Sequence, residues 1–81
     1  SYEIDEYEQI EIAMKRLLEN HPDNTDILFG LAGILYKTNR LEESINKLSI
    51  LLEFKPNHDD ARILLRKIEQ KRAKLVDQLT G

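Results

Sequence analysis

The sequence predicts an all-α fold of antiparallel helical hairpins, on the strength of three observations. Apolar residues recur at helical spacing along four segments of the chain. Two proline turns, at residues 21–24 and 55–58, interrupt this pattern, and their prolines lie 34 residues apart. Each turn follows an apolar run that ends in Leu-Leu-Glu, at residues 17–19 and 51–53, so one offset aligns two helix ends as well as two prolines.

The first predicted helix covers about residues 4–20 and has one face to bury. Its apolar stripe consists of Tyr7, Ile10, Met14, Leu17 and Leu18. Glu11 lies largely outside this stripe. Pro22 ends the helix, because its ring clashes with the preceding turn.

The second predicted helix, at about residues 25–38, should be the most buried, because it is apolar around much of its circumference. Asn24 or Asp23 is expected to cap its first turn. Gly30 and Gly33 lie inside this helix, where each glycine costs roughly 1 kcal/mol relative to alanine. The sequence accepts that cost for a reason that must lie in packing or function.

Two further helices are predicted at about residues 41–54 and 58–79. Asn39 precedes the third helix and tolerates the left-handed conformation that ends a helix. The apolar stripe of the fourth helix consists of Ala61, Leu64, Leu65, Ile68, Leu75, Val76 and Leu79. No proline or glycine interrupts this helix before Gly81.

These positions resemble the tetratricopeptide repeat. Leu31 and Ala32 match its Leu-Gly pair, Leu41 the apolar start of its second helix, Ser44 its small residue at the helix contact, and Pro56 its closing proline. Apolar residues replace other preferred residues of the pattern at Leu28, Leu35, Leu48 and Leu51. The resemblance covers one full repeat at about residues 25–58 with a half repeat on each side. It implies a short right-handed superhelix of four helices in one domain, residues 1–81, ending in an extended terminal helix.

The resemblance also implies a protein-interaction scaffold with a concave groove. The side of the second helix that lines the groove in this family carries Asp26, Phe29, Gly30, Gly33 and Lys37 here, and Tyr36 lies beside it. Ile63 and Lys67 extend the predicted lining onto the fourth helix. A peptide or helix of another protein would bind there, and the glycines would let its backbone approach. Alternatively, the glycines only admit the neighbouring helix at residues 60–72.

A second hypothesis is a structural or self-assembly module. One full repeat and two halves fall below the three repeats usually needed for stability. The first helix would then expose an apolar edge that packs on another copy, as a homo-oligomer, or on another domain of a longer protein. A start at Ser1 suggests such a longer protein.

The sequence offers no chemistry for an enzyme, a cofactor or a metal. The chain has no cysteine, and its two histidines lie in separate turns without a nearby partner. Its longest apolar run, at residues 27–36, is too short to span a membrane. No compartment is predicted.

The net charge of −3 is unevenly distributed. Residues 1–27 carry eight acids and two bases, whereas residues 55–81 carry seven bases and four acids. These are either solvated helix faces or complementary ends that stack one module on another. Nucleic-acid binding is not expected, because the basic residues are diluted by acids and lack interleaved aromatic residues.

One function found in the family is expected to be absent. Some tetratricopeptide domains hold the C-terminal carboxylate of a chaperone with Lys, Asn and Arg side chains on successive first helices. The corresponding positions here carry Phe29, Gly30, Gly33, Asp60 and Leu64. None of these side chains can serve as such a clamp.

Overall fold

The computed structural model describes residues 5–80, which form four α-helices and no strand. The helices are α1 (Glu6–Asn20), α2 (Thr25–Lys37), α3 (Leu41–Phe54) and α4 (Asp59–Thr80). Helix α2 packs against each of the other three, and α3 also packs against α4. The predicted all-α fold of helical hairpins is confirmed.

Side chains at the turns determine where the helices begin. The Asn24 side chain accepts hydrogen bonds from the backbone N–H groups of Asp26 and Ile27, so Asn24 is the N-cap of α2. At α4, Nδ1 of His58 accepts a hydrogen bond of 3.0 Å from the N–H of Ala61. His58 was predicted to be the first helical residue and is instead a cap, because its ring nitrogen satisfies a free N–H of the first turn. The predicted start near residue 4 lies outside the described residues.

The turn between α2 and α3 depends on a left-handed residue. Asn39 has a φ of 66° and is the only residue other than glycine with a positive φ among those described. This conformation brings the N–H of Arg40 to 2.8 Å from the carbonyl oxygen of Leu35. Helix α2 therefore ends at Lys37, one residue earlier than predicted, and α3 turns back along it.

The core lies where α2 meets α3 and α4. Its buried apolar residues are Leu28, Leu31, Ala32, Leu35, Leu41, Leu48, Leu51, Ala61 and Ile68. Ser44 of α3 is also fully buried, and its Oγ donates a hydrogen bond of 2.7 Å to the carbonyl oxygen of Ala32. Two small residues at this contact let α2 and α3 approach closely, and the hydrogen bond satisfies the buried Ser44 hydroxyl.

The predicted apolar stripe of α1 is only partly buried. Tyr7, Ile10 and Leu17 are 41%, 40% and 50% exposed, whereas Glu11 is only 8% exposed. Glu11, which the periodicity places largely outside the stripe, is thus more buried than these three residues. Helix α1 meets α2 along one side, and no helix among residues 5–80 covers the rest of the stripe.

The end of α4 also differs from the prediction. Leu75, Val76 and Leu79 were assigned to the packed stripe but are 38%, 51% and 87% exposed. Arg72 lies opposite the start of α3, where its Nη1 is 3.0 Å from Oε1 of Glu42. Because α3 begins at Leu41, α4 extends beyond the core after Arg72.

Glu11 is buried because it joins an ion-pair cluster at the α2–α3 turn. Nη1 of Arg40 donates to both Glu11 carboxylate oxygens at 2.5 and 2.6 Å, and Nζ of Lys15 lies 2.8 Å from Oε2. Arg40 also donates to Glu43, which ties α1 to the start of α3. The hydrogen bond from Lys15, together with those from Arg40, lowers the pKa of Glu11 although burial opposes this.

This cluster predicts a loss of stability in acid. The folded-state pKa of Glu11 lies below its ordinary value of 4.5, so its contribution is complete above that pH and is lost as the pH falls further. We expect Glu11→Gln to lower the free energy of unfolding at pH 7 by about 1 kcal/mol, and to make stability less dependent on pH below 4.5. Urea unfolding at several pH values measures both effects.

The matched control is Glu69→Gln. Glu69 is exposed in the middle of α4 and has no ion pair among residues 5–80, so this variant changes the net charge equally without touching the cluster. Equal effects of the two substitutions at pH 7 would contradict a structural role for Glu11.

Candidate functional site

Helices α2 and α4 lie side by side in the same direction. Near their starts, the rings of Phe29 and His58 lie 5.4 Å apart between centroids. Further along, Nζ of Lys71 lies 5.2 Å from the ring centroid of Tyr36. We call the surface formed by Asp26, Phe29, Gly33, Tyr36, Lys37, Ile63 and Lys67 the α2–α4 face.

The residues predicted to line a groove differ in exposure along this face. Asp26 and Lys37 are exposed in the first and last turns of α2. Phe29 and Tyr36 are half-buried, and Ile63 is 53% exposed on α4. The face thus has two half-buried aromatic rings, each in contact with a side chain next to or on α4, and the exposed aliphatic side chain of Ile63.

The two glycines of α2 have different surroundings. A Cβ atom on Gly30 would lie 2.7 Å from Cε of Met14 and 3.3 Å from its Sδ, so Gly30 makes room for α1. Apart from its chain neighbours and the nearby backbone of α2, a Cβ atom on Gly33 would meet no atom within 4 Å. The alternative that both glycines admit α4 was therefore wrong. Gly33 is open to the surface.

A shallow open pocket of about 290 Å³ lies at the far end of the α2–α4 face. Tyr36 and Lys67, which were both predicted to line the groove, meet in this pocket. Its other lining residues are Gln70, Lys71 and Lys74, which the groove prediction missed. Their spacing from Lys67, at three, four and seven residues, places them on the same side of α4 and was the available signal.

The described residues show no arrangement typical of a metal centre. Within residues 5–80, no group of three or more His, Cys, Asp or Glu side chains is placed to hold a metal ion. Nδ1 of His58 is occupied by the N–H of Ala61. The α2–α4 face presents aromatic, aliphatic and cationic groups.

None of the helices in the described part of the chain is long and apolar enough to cross a membrane.

The different surroundings of the two glycines predict different effects of alanine. We expect Gly33→Ala to raise the free energy of unfolding by about 0.5–1 kcal/mol, because alanine favours helix and nothing obstructs its methyl group. Gly30→Ala should raise it by less, because the Met14 side chain must move. Urea unfolding measures both values. Equal increases in the free energy of unfolding would contradict the contact between Gly30 and Met14. A decrease for Gly33→Ala would show that other atoms already occupy the space beside Gly33.

Comparison with known proteins places this geometry in a family. A family model described as a tetratricopeptide repeat matches residues 6–68, from the first residue of α1 to Ile68 in α4. No curated protein and no solved structure gives a match. Repeats of this kind are non-enzymatic and generally mediate protein–protein interactions or scaffolding. The match spans more than half of the chain and coincides with the stacked hairpins, so the chain belongs to the tetratricopeptide repeat family.

Proposed function

We propose that the protein binds a peptide or a helix of a partner protein on the α2–α4 face. The observation that supports this most directly is the open surface at Gly33, where no atom beyond its chain neighbours and the nearby α2 backbone lies within 4 Å of the missing Cβ. A glycine in a helix interior lowers stability, and no neighbouring helix uses the space that this one leaves. A partner backbone can therefore approach α2 closely at this position.

The side chains around Gly33 suit such a contact. Phe29, Tyr36 and Ile63 provide the aromatic and aliphatic surface that carries most binding energy in protein interfaces. The ring of Phe29 lies against His58, and that of Tyr36 lies beneath the Lys71 ammonium group. Both rings are thus held in place before a ligand binds, which reduces the entropy lost on association.

A peptide library displayed on phage tests the proposal. Peptides selected on the wild-type protein should bind Gly33→Arg at least about tenfold more weakly, because the arginine side chain would occupy the open surface. Fluorescence anisotropy measures the affinities. Circular dichroism should show unchanged helical content, since arginine favours helix more than glycine does and a Cβ atom at this position meets no neighbouring side chain.

The control is Ser49→Arg, which adds the same side chain at an exposed position of α3. It should leave peptide affinity unchanged. Selected peptides that bind Gly33→Arg as tightly as the wild type would contradict binding on the α2–α4 face, and so would a library that yields no binder.

A second candidate function is self-assembly or packing on another domain through α1. The exposure of Tyr7, Ile10 and Leu17 on one side of this helix favours it, because an apolar stripe of this kind commonly marks an interaction surface. Under this proposal a second copy, or a domain elsewhere in a longer chain, covers the stripe.

Sedimentation analysis separates the two candidates. Self-assembly through α1 predicts a mass that rises with concentration and returns to that of a monomer in Ile10→Glu, because a buried charge would oppose the contact. The control, Ile63→Glu, introduces the same charge at an exposed residue of the α2–α4 face and should leave assembly intact. A monomer at all concentrations would exclude a homo-oligomer.

A further inference from the structure

The charged residues of the pocket at the end of the α2–α4 face are all positive. We call it the lysine pocket; it is lined by Tyr36, Lys67, Gln70, Lys71 and Lys74. The whole chain carries a net charge of −3, yet no acidic residue lines this pocket. Its charge is therefore opposite in sign to that of the protein as a whole.

The three lysines have no carboxylate partner among residues 5–80. The ion pairs formed by the described residues involve other cations, namely Lys15, Arg40 and Arg72. Arg72 is adjacent to Lys71 in sequence but turns towards α3 and pairs with Glu42. Lys67, Lys71 and Lys74 follow one another at helical spacings of four and three residues, where like charges repel. An anionic ligand would remove this repulsion and so stabilise the complex.

The ring of Tyr36 gives the pocket a fixed base. Nζ of Lys71 lies 5.2 Å from its centroid, a distance typical of a cation–π contact. This contact restrains one ammonium group in the pocket before any ligand arrives. The side-chain amide of Gln70 adds a donor beside the lysines.

Charge also varies along the α2–α4 face. The first turn of α2 carries Asp26, and the first turn of α4 carries Asp59 and Asp60. The last turn of α2 carries Lys37, and the lysine pocket lies on α4 near Tyr36. Because the two helices run in the same direction, the face has an acidic end, an apolar middle at Gly33 and Ile63, and a basic end.

We infer that the ligand of this face is a partner segment in which two or more Asp or Glu side chains occupy the lysine pocket, next to an apolar side chain placed over Gly33 and Ile63. This inference rests on the proposed function and specifies the chemistry of its ligand. Carboxylates bind lysine ammonium groups by charge-assisted hydrogen bonds, and the acidic end of the face disfavours the reversed orientation. All three lysines lie on one helix, α4. The clamp that holds a chaperone C-terminus in this family instead uses side chains on the first helices of successive repeats, so the inferred ligand does not need a free C-terminal carboxylate.

The experiment uses the selected peptides that bind the wild-type protein and fail to bind Gly33→Arg. These peptides should be enriched in neighbouring Asp or Glu residues. Synthetic versions with amidated C-termini should bind as tightly as versions with free carboxylates. Replacing their acids by Asn or Gln should weaken binding at least about tenfold, and rising salt should weaken the parent peptides much more than the neutral ones.

A matched pair of protein variants locates the effect. Lys67→Gln/Lys71→Gln should lower affinity for the acidic peptides at least about tenfold. Arg62→Gln/Arg66→Gln removes the same charge at the same spacing of the same helix, from two exposed residues outside the pocket. It should change affinity by less than about twofold, since charge outside the contact acts only through the screened long-range field. Circular dichroism confirms that both variants remain folded.

Each contrary outcome has a distinct meaning. Two results would overturn the assignment of acidic side chains to the lysine pocket and leave the proposed function intact. In one, peptides whose binding depends on Gly33 carry no acids; in the other, the peptides bind both double variants equally. Dependence on a free C-terminal carboxylate would overturn the assignment to side-chain acids. If a polyuridine oligonucleotide binds the wild-type protein more tightly than the acidic peptides do, and Lys67→Gln/Lys71→Gln no longer binds it, the pocket would be assigned to nucleic acid. If the mass measured by sedimentation is lower for Lys67→Gln/Lys71→Gln than for the wild type, the lysine pocket would be assigned to the acidic α1 of a second copy.

Discussion

The close contact between α2 and α3 at Ala32 and Ser44 is the constraint on which the other elements depend. Both residues are fully buried, and the Ser44 hydroxyl donates to the Ala32 carbonyl oxygen at 2.7 Å. A larger side chain at either position would separate the helices, because a close-packed contact leaves no free volume. With α2 and α3 fixed, Asn39 closes the turn between them, and Arg40 is placed where it can reach Glu11. Helix α4 then packs against both α2 and α3, which brings its lysines beside Tyr36.

The sequence was sufficient to predict this hairpin because its determinants are local or periodic. The 34-residue spacing of the prolines, the small Ser44, the Asn24 cap and the left-handed Asn39 each depend on backbone requirements that few residue types meet. The burial of Glu11 was not predictable in the same way. Helical periodicity shows which residues share a face, but not that an arginine 29 positions away turns towards that face. The exposed end of α4 was missed for a similar reason, since its apolar spacing continues although α3 does not extend that far.

On the α2–α4 face, too, some features were predictable from the sequence and others were not. Periodicity placed Phe29, Gly33 and Lys67 on the correct helices, but could not show that Met14 fills the space at Gly30 and leaves Gly33 open. Sequence also grouped the C-terminal bases together, whereas the structure separates them. Arg72 pairs with α3, while Lys71 turns towards Tyr36. The direction in which a helical side chain points depends on its neighbour, so the lysine pocket becomes visible only when α2 and α4 are set side by side.

The order in which the helices pack has a consequence for how the chain folds. Apart from the contact of α2 with α4, each helix packs against its neighbours in sequence, so few contacts require the closure of a long loop. Chains with such local contacts fold rapidly. In a stacked repeat the stability is close to a sum over adjacent pairs, and folding can start at one pair and spread. The α2–α3 hairpin holds most of the buried residues and should form the nucleus, with α1 and α4 adding to its two sides. Amide hydrogens at the exposed end of α4 should consequently exchange with solvent long before those of Leu35 or Leu48.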